Sequence, residues 1–505
     1  MKRSFWFLLI GVFALGIFLR LWRLNEVPPS PSLDEVSIGY NAYSILTTGA
    51  DEYGYKFPVL LRAYDDWRPA LYVYTVIPFV WLLGLSAVAV RLPAVILSII
   101  TLVGAYFLAK ELFRSQKLKK PIALCATFLL AISPWHVYIS RLGHEVNLGL
   151  TLLVWATFIF LRKNLFVSGA LFALSLYAYQ SEKIITPVII LVLAFLYKKE
   201  LFKQKKKVFL ASLTSTLLVI PLVWATIGSP GLIRFAATNV FAEAHPLALV
   251  TTQYISHFKP QWLFSGSERE AHKIPNLGLL YIWEAPLILL GLFFLWRWPV
   301  ASRIRWVILL WLLAAPIPAA ITTQAPHAMR SYTFLPMLQI LGGLGLVGII
   351  SRGQRFVALA ILFLAVGSLQ VFNKQYFDIF PKTQSDSFQY ALGQAIPTMI
   401  SLSKDYDHVI VSNQKNLYQS YMFYLFYSRF DPRMYQQLGG TVSGGYAETH
   451  TIGKFFFRPI DWTKDSKAER TLLVGNPSEF SQRARTLAEF ANLDGHVGVR
   501  MVSLQ

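Results

Sequence analysis

The sequence predicts a polytopic α-helical membrane protein of about eleven transmembrane helices, followed by a small extracytoplasmic α/β domain. Three observations carry this expectation. Of the 505 residues 55% are hydrophobic and only 15% charged, with a mean hydropathy of +0.47, whereas soluble domains carry about 25% charged residues. Apolar runs near the 17–25 residues that cross a bilayer recur from residue 5 to about residue 373. After residue 373 those runs end and polar residues become common. The expected domains are therefore 1–373, within the membrane, and 374–505, outside it.

The opening MKRSFWFLLIGVFALGIFLRLW has the basic start and apolar core of a secretory signal. The NEVPPSPS that follows offers no small-x-small cleavage site, so the segment reads as an uncleaved first span. Spans are placed near residues 5–22, 88–110, 121–139, 148–162, 165–181, 183–197, 208–227, 278–296, 305–321, 332–350 and 356–373. Cys125, the single cysteine, lies inside one of them. An intrachain disulfide and a cysteine metal cluster are both excluded.

The net charge of +20 belongs to topology rather than to nucleic acid. KELFRSQKLKK, RKN, KKELFKQKKK, RWPVASRIR and SRGQR, with Lys2 and Arg3, hold 20 of the 47 basic residues and only two acids, Glu111 and Glu200. That leaves +18 of the +20 on one side, which the positive-inside rule makes cytoplasmic. One apolar segment resists the scheme. Counting LYVYTVIPFVWLLGLS (71–86) as a span would send every later Lys-rich loop outside, so it reads as a helix in the outer interface, as its Tyr and Trp content suits.

The extracytoplasmic side then receives a first loop at 23–87, PWHVYISRLGHEVN (134–147), YAYQSEK (177–183), the loop at 228–277, TTQAPHAMRSY (322–332) and the tail. Span middles carry essentially no charge, which disfavours a coupled transporter. Acids, histidines and arginines crowd the outer boundary instead. In the tail, DHVIVSN, KFFFRPI and RTLLVGN read as short buried strands, whereas SDSFQYALGQAI and SEFSQRARTLAEF carry helical spacing. No Walker or dinucleotide fingerprint and no internal repeat is present.

Each polar candidate has a plain reading beside a chemical one. Asp34-Glu35 opens the amphipathic stretch DEVSIGYNAYSILTTG; on pattern alone Asp34 reads first as a helix N-cap, a reading compatible with a general base for an attacking hydroxyl. Arg68, in Trp67-Arg68-Pro69, suits a headgroup anchor or a bidentate phosphate ligand. Arg141, His144 and Glu145 share the second outer loop, and no HxxxH or HExxH pattern makes His144 a metal ligand. Lys183 suits snorkelling, and His327 and Arg330 add positive charge to the same face. Carboxylates and cations gathered at one membrane face fit transfer from a lipid-borne phosphate donor, whose tail cannot leave the bilayer.

SLDEVSIGYNAYSIL, WRPALYVY, AVRLPAVILSIITLVGAYFLAKELF and SPWHVYISRLGHEVNLGL resemble the membrane glycosyltransferases of the C-type (GT-C) fold. The likeness is to the bacterial relatives of protein O-mannosyltransferases and aminoarabinose lipid A transferases. It covers roughly residues 1–200 and is continued by LLAAPIPAAITTQAPHAMRSYTFLP. The resemblance implies an inverting transferase of the cytoplasmic membrane that moves a sugar from a polyprenyl-phosphate donor to a hydroxyl acceptor, with no metal required. It implies Asp34 as base with Glu35 beside it and Glu145 as a second acid, where relatives more often carry Asp. Arg68, Arg141, Lys183, His327 and Arg330 are the implied donor-phosphate contacts. The 228–277 loop is too short for the trefoil-like insertion of the eukaryotic O-mannosyltransferases. A flippase of lipid-linked sugars, a glycan polymerase or ligase using diphosphate-linked donors, and an inactive binding scaffold are the rival readings.

Overall fold

The computed structural model describes residues 2–64, 66–228, 239–266, 272–442, 448–481 and 484–503. Parts of the expected 228–277 loop and two residues of SEFSQRARTLAEF lie outside them. The chain divides into two compact units. One comprises residues 1–22 and 94–375, the other residues 23–93 and 376–505.

The first unit is helical. Its main elements are α1 (Lys2–Leu21), α4 (Ala87–Leu112) from Ala94 onward, α5 (Lys119–Ile132), α6 (Pro134–Ser140), α7 (Val146–Leu161), α8 (Leu165–Ser175), α9 (Glu182–Leu196) and α10 (Lys205–Ile227). They continue as α11 (Glu284–Arg297), α12 (Ser302–Ala314), α13 (Met337–Ile350) and α14 (Arg355–Asn373). A helix thus stands in each of the eleven stretches expected to span. Among the described residues six helices are long and apolar enough to cross a membrane, or seven if α5 and α6, bent by 59°, form one span.

Small residues set the core of this unit. In MLQILGGLGLVGII, the α13 segment, a Cβ added at Gly345 would lie 2.0 Å from the Leu287 carbonyl oxygen. One added at Gly291 would lie 2.0 Å from that of Leu341. The backbones of α11 and α13 therefore touch, which only glycine permits at these positions. Gly343 lets α13 approach Ala126 of α5 in the same way, at 2.6 Å for the added Cβ. At the other extreme, α10 faces outward along most of its length, with Leu217, Trp224 and Ile227 exposed as a lipid-facing helix requires.

The second unit joins the stretch after α1 to the C-terminal stretch. It holds α2 (Leu33–Thr48), the hairpin β1 (Leu60–Ala63) and β2 (Asp66–Pro69), and α3 (Leu71–Leu83). Later in the chain come α15 (Tyr390–Leu402), β3 (His408–Val411), α16 (Ser420–Ser428), β4 (His450–Ile452), β5 (Phe455–Phe457), β6 (Thr471–Gly475), β7 (Arg485–Ala491) and β8 (Val497–Ser503). With 13 residues, α3 is about 20 Å long, short of the hydrocarbon core of about 30 Å, and Trp81 and Leu82 are exposed.

The sheet order is β4-β5-β3-β6-β8-β7. β3 pairs in parallel with β5 and β6, while the outer pairings are antiparallel. Every residue of the central strand β6 is buried, as continuous apolar runs between covered faces require. The expected strands at 407–413, 454–460 and 470–476 contain β3, β5 and β6. SEFSQRARTLAEF departs from its helical spacing: Arg485–Ala491 is an edge strand on β8, with irregular register at Thr486/Ala488 and Phe490/Ala491. Ladder hydrogen bonds to a neighbour distant from it in periodicity override the local pattern. The last apolar helix does not stop at 373 either, but runs on through a π-helical turn, Lys374–Ile379, to Gln384.

Candidate active site

The first turn of α2 explains the acids that open it. Ser32, not Asp34, is the N-cap: its hydroxyl accepts from the Glu35 N–H, and the Glu35 carboxylate accepts from the Ser32 N–H at 2.8 Å. This capping box satisfies two otherwise orphaned donors. Asp34, one residue into the helix, is released from that duty. Its side chain remains 51% exposed and lines a cavity of about 480 Å³ with Ser32, Leu33, Ser387, Phe388 and Tyr418.

Arg68 meets Asp34 from the hairpin. β2 places it opposite Leu61, with its side chain only 7% exposed. One guanidinium nitrogen donates to Asp34 Oδ1 at 3.2 Å and another to Ser37 Oγ at 2.9 Å. Ser37 lies one turn along α2 from Asp34, so the guanidinium bridges a face of the helix. The pairing fixes a carboxylate rotamer while leaving the group open to the cavity.

Glu35 has another task than the expected catalytic one. It is 1% exposed and takes Arg91 Nε at 2.7 Å, while Arg91 also donates to the carbonyls of Leu24, Pro28 and Ser30. Facing away from solvent, it holds the loop that leads into α2. Sequence reasoning missed Arg91; the signal that could have found it is a charge inside the apolar stretch AVAVRLPAV, because such a group demands a partner.

Asp51 and Glu52 answer for the other acids of this loop. Asp51 Oδ1 accepts from the Tyr53 and Tyr55 N–H groups and so closes a turn. Glu52 is buried and accepts from Asn41 Nδ2 at 2.9 Å and Thr441 Oγ1 at 2.7 Å, with the Tyr421 hydroxyl at 3.4 Å. Burial pushes Glu52 up to about 7, against the opposing hydrogen bonds from Asn41 and Thr441, and Asp51 up to about 6. Asn41 also donates to the Ser37 carbonyl. A run of polar contacts thus extends from Asp34 through Arg68, Ser37, Asn41 and Glu52 to Thr441. Sequence spacing shows none of its later members, because Thr441 lies almost 400 positions from Glu52.

The remaining candidates belong to the other unit. Arg141 is fully buried and donates to the carbonyls of Leu19 and Arg20 at 3.1 and 2.9 Å. It closes the C-terminal end of α1, whose last carbonyls lack helical partners, rather than presenting itself as the expected phosphate contact. Glu145 immediately precedes α7, and its Oε2 lies 3.1 Å from His144 Nδ1. Lys183 is the second residue of α9 and half-buried.

His327 and Arg330 are brought together. The Arg330 N–H donates to His327 Nδ1 at 3.3 Å, and Arg330 Nη1 donates to Thr322 Oγ1 at 2.6 Å. His327 stacks on His272 and gives its backbone N–H to His257 Nε2. Burial lowers His257 to about 4, so this acceptor stays neutral. Among the described residues no three His, Cys, Asp or Glu side chains converge as a metal's ligands would.

Comparison with known proteins agrees with this arrangement at the level of fold. A family model described as "Dolichyl-phosphate-mannose-protein mannosyltransferase" matches residues 68–224. No curated protein matches the chain in sequence. Among solved structures, ArnT from Cupriavidus metallidurans in the apo state superposes with a TM-score of 0.58 at 12% identity, over 100% of this chain and 99% of that one. The same protein bound to undecaprenyl phosphate gives 0.57 at 11% identity, over 99% and 97%. The apo oligosaccharyltransferase of Archaeoglobus fulgidus gives 0.50 at 13% identity, over 85% of this chain and 64% of that one. The chain therefore has the GT-C membrane fold that these transferases share.

Proposed function

We propose that the chain is an inverting membrane glycosyltransferase. It moves a sugar from a polyprenyl-phosphate donor to a hydroxyl acceptor at the outer face of the cytoplasmic membrane. The observation that carries this reading is Asp34: a half-exposed carboxylate at a cavity, oriented by a buried arginine, on the fold of lipid-dependent transferases. The undecaprenyl phosphate bound by ArnT supplies the class of donor.

In this reading the acceptor oxygen forms a bond to the anomeric carbon as the bond to the donor phosphate oxygen breaks. Asp34 takes the acceptor's proton, and polyprenyl phosphate leaves with the bonding electron pair. A base in hydrogen-bond reach contributes about 10²–10⁴-fold. Arg68 orients Asp34 and supplies positive charge for the departing phosphate; the proposed donor-phosphate roles of Lys183, His327 and Arg330 rest on the family resemblance. Glu145 beside His144 is the second carboxylate. About eleven spans, a cytoplasmic N-terminus and an extracytoplasmic C-terminal domain complete the proposal, and no step in it needs a metal.

The test is an assay of the purified protein in lipid nanodiscs against a panel of polyprenyl-phosphate sugars. Mass spectrometry follows donor consumption, including slow hydrolysis to free sugar. Wild type consumes one donor and Asp34→Asn does not. Passage of donor across the bilayer without consumption would replace the transferase by a flippase.

A further inference from the structure

The cavity beside Asp34 has a second wall that the reaction above does not use. Leu33 and Asp34 come from α2, but Ser387, Phe388 and Tyr418 come from the C-terminal stretch. Phe388 and Tyr418 share an unusual setting. Each directly precedes a glutamine in the left-handed region, Gln389 at φ 50° and Gln419 at φ 55°, which opens α15 or α16. Both glutamines are buried, and Gln389 Nε2 donates to the Tyr418 carbonyl at 3.0 Å. Non-glycine residues adopt this conformation at a cost, and such costs gather where a side chain must be aimed. Two aromatic rings are thereby held at the cavity by linked backbone turns, and Phe380 packs edge-on to Phe388 at 5.8 Å.

Charge narrows what these rings bind. Asp34 is the one carboxylate among the residues on the lining, and Asp386, beside Ser387 in the chain, accepts from Asn416 and Asn492. Burial, with the charges of Asp34 and Asp386, keeps the Tyr418 hydroxyl protonated. Arg68 pairs with Asp34 at 3.2 Å but does not line the cavity, so the half-exposed carboxylate is the charge that an anionic ligand meets, which costs affinity. A volume of about 480 Å³ lies within the ordinary range for small-molecule sites. Aromatic faces suit the C–H face of a sugar ring, and Ser32, Ser387 and Asp34 suit its hydroxyls.

We infer that Phe388 and Tyr418 form an acceptor platform for a neutral carbohydrate, so that the C-terminal stretch selects what Asp34 deprotonates. Calling the ligand an acceptor rests on the transferase reading; its binding to the rings does not.

Saturation-transfer NMR on the full-length protein in nanodiscs tests this with α-mannotriose, chitotriose, maltotriose and, as an anionic counterpart, trigalacturonic acid. At least one neutral trisaccharide binds wild type. Tyr418→Ala and Phe388→Ala each weaken it about fivefold or more, Tyr418→Phe retains it, and trigalacturonic acid binds more weakly than the best neutral ligand. Tyr418→Leu and Phe388→Leu, which preserve apolar volume, replace any alanine variant that fails to fold. The inference is overturned if no neutral trisaccharide binds, if the ring-deleting variants bind as wild type does, or if trigalacturonic acid binds best. Asp34→Asn separates the two readings: platform binding survives it, whereas donor consumption does not.

Discussion

Replacing Arg91 by alanine removes the cation paired with Glu35 at 2.7 Å, at a place where neither side chain is more than 1% exposed. Breaking a buried pair from one side leaves an uncompensated charge and costs about 3–5 kcal/mol. The carbonyls of Leu24, Pro28 and Ser30 lose their donors as well, so the loss lies at the upper end of that range. A cost of this size lowers the folded-to-unfolded ratio by roughly 10³–10⁴-fold. Proteolysis of the detergent-solubilised protein across a urea series reads it as a fall in midpoint. The double replacement Arg91→Met with Glu35→Met removes both charges and recovers part of the loss, because apolar substitutes for a buried pair are often neutral. Recovery stays incomplete, since Glu35 also closes the capping box on Ser32, worth about 1 kcal/mol. A single-variant loss below about 1 kcal/mol would show the pair to be solvated and would refute its role in holding the entry to α2.

Further outcomes follow from the same geometry. Asp34→Asn lowers donor turnover by about 10²–10⁴-fold while leaving the thermal unfolding of the protein near that of wild type. Arg68→Lys keeps the charge but not the fork that spans Asp34 and Ser37, so turnover falls by about tenfold or more on the same assay. Glu52, raised from 4.5 to about 7 by burial, binds more protons folded than unfolded in that window. Stability therefore declines as pH rises from about 4.5 to 7, by on the order of 3 kcal/mol. Urea midpoints show that slope in wild type and a flatter one in Glu52→Gln; Asp51 contributes in the same direction. Gly345→Leu drives a side chain into the Leu287 backbone, and size-exclusion chromatography shows little folded protein where Gly367→Leu, with open space around it, folds normally.

Apolar run length made the helices legible, since crossing a bilayer leaves little freedom in composition. Short buried strands were legible for the same reason: β6 is a continuous apolar run flanked by Arg470 and Asn476. β7 was not, because an edge strand takes its structure from a neighbour rather than from its own periodicity. In the candidate site, Asp34 and Arg68 stood out as charges in an outer loop. The division of labour between Asp34 and Glu35 did not, because adjacent acids look alike until Ser32 and Arg91 claim one of them. Arg141 misled for a related reason: a loop arginine that closes a helix end and one that meets a phosphate share the same sequence. Phe388 and Tyr418 carried no signal at all among so many aromatics.

The discontinuous make-up of the second unit has a consequence during synthesis. Residues 23–93 leave the ribosome first, yet the Tyr427 hydroxyl that meets Ser30 and the Thr441 hydroxyl that meets Glu52 are made only after the intervening stretch that belongs to the other unit. That stretch is roughly 280 residues, about 15–60 s of translation at about 5–20 residues per second. For that interval Asp34 and Arg68 are in place, but the second wall of the cavity and the Thr441 partner of Glu52 are not. Chains released early, after the last apolar helix, would carry residues 23–93 without the C-terminal residues that complete their unit.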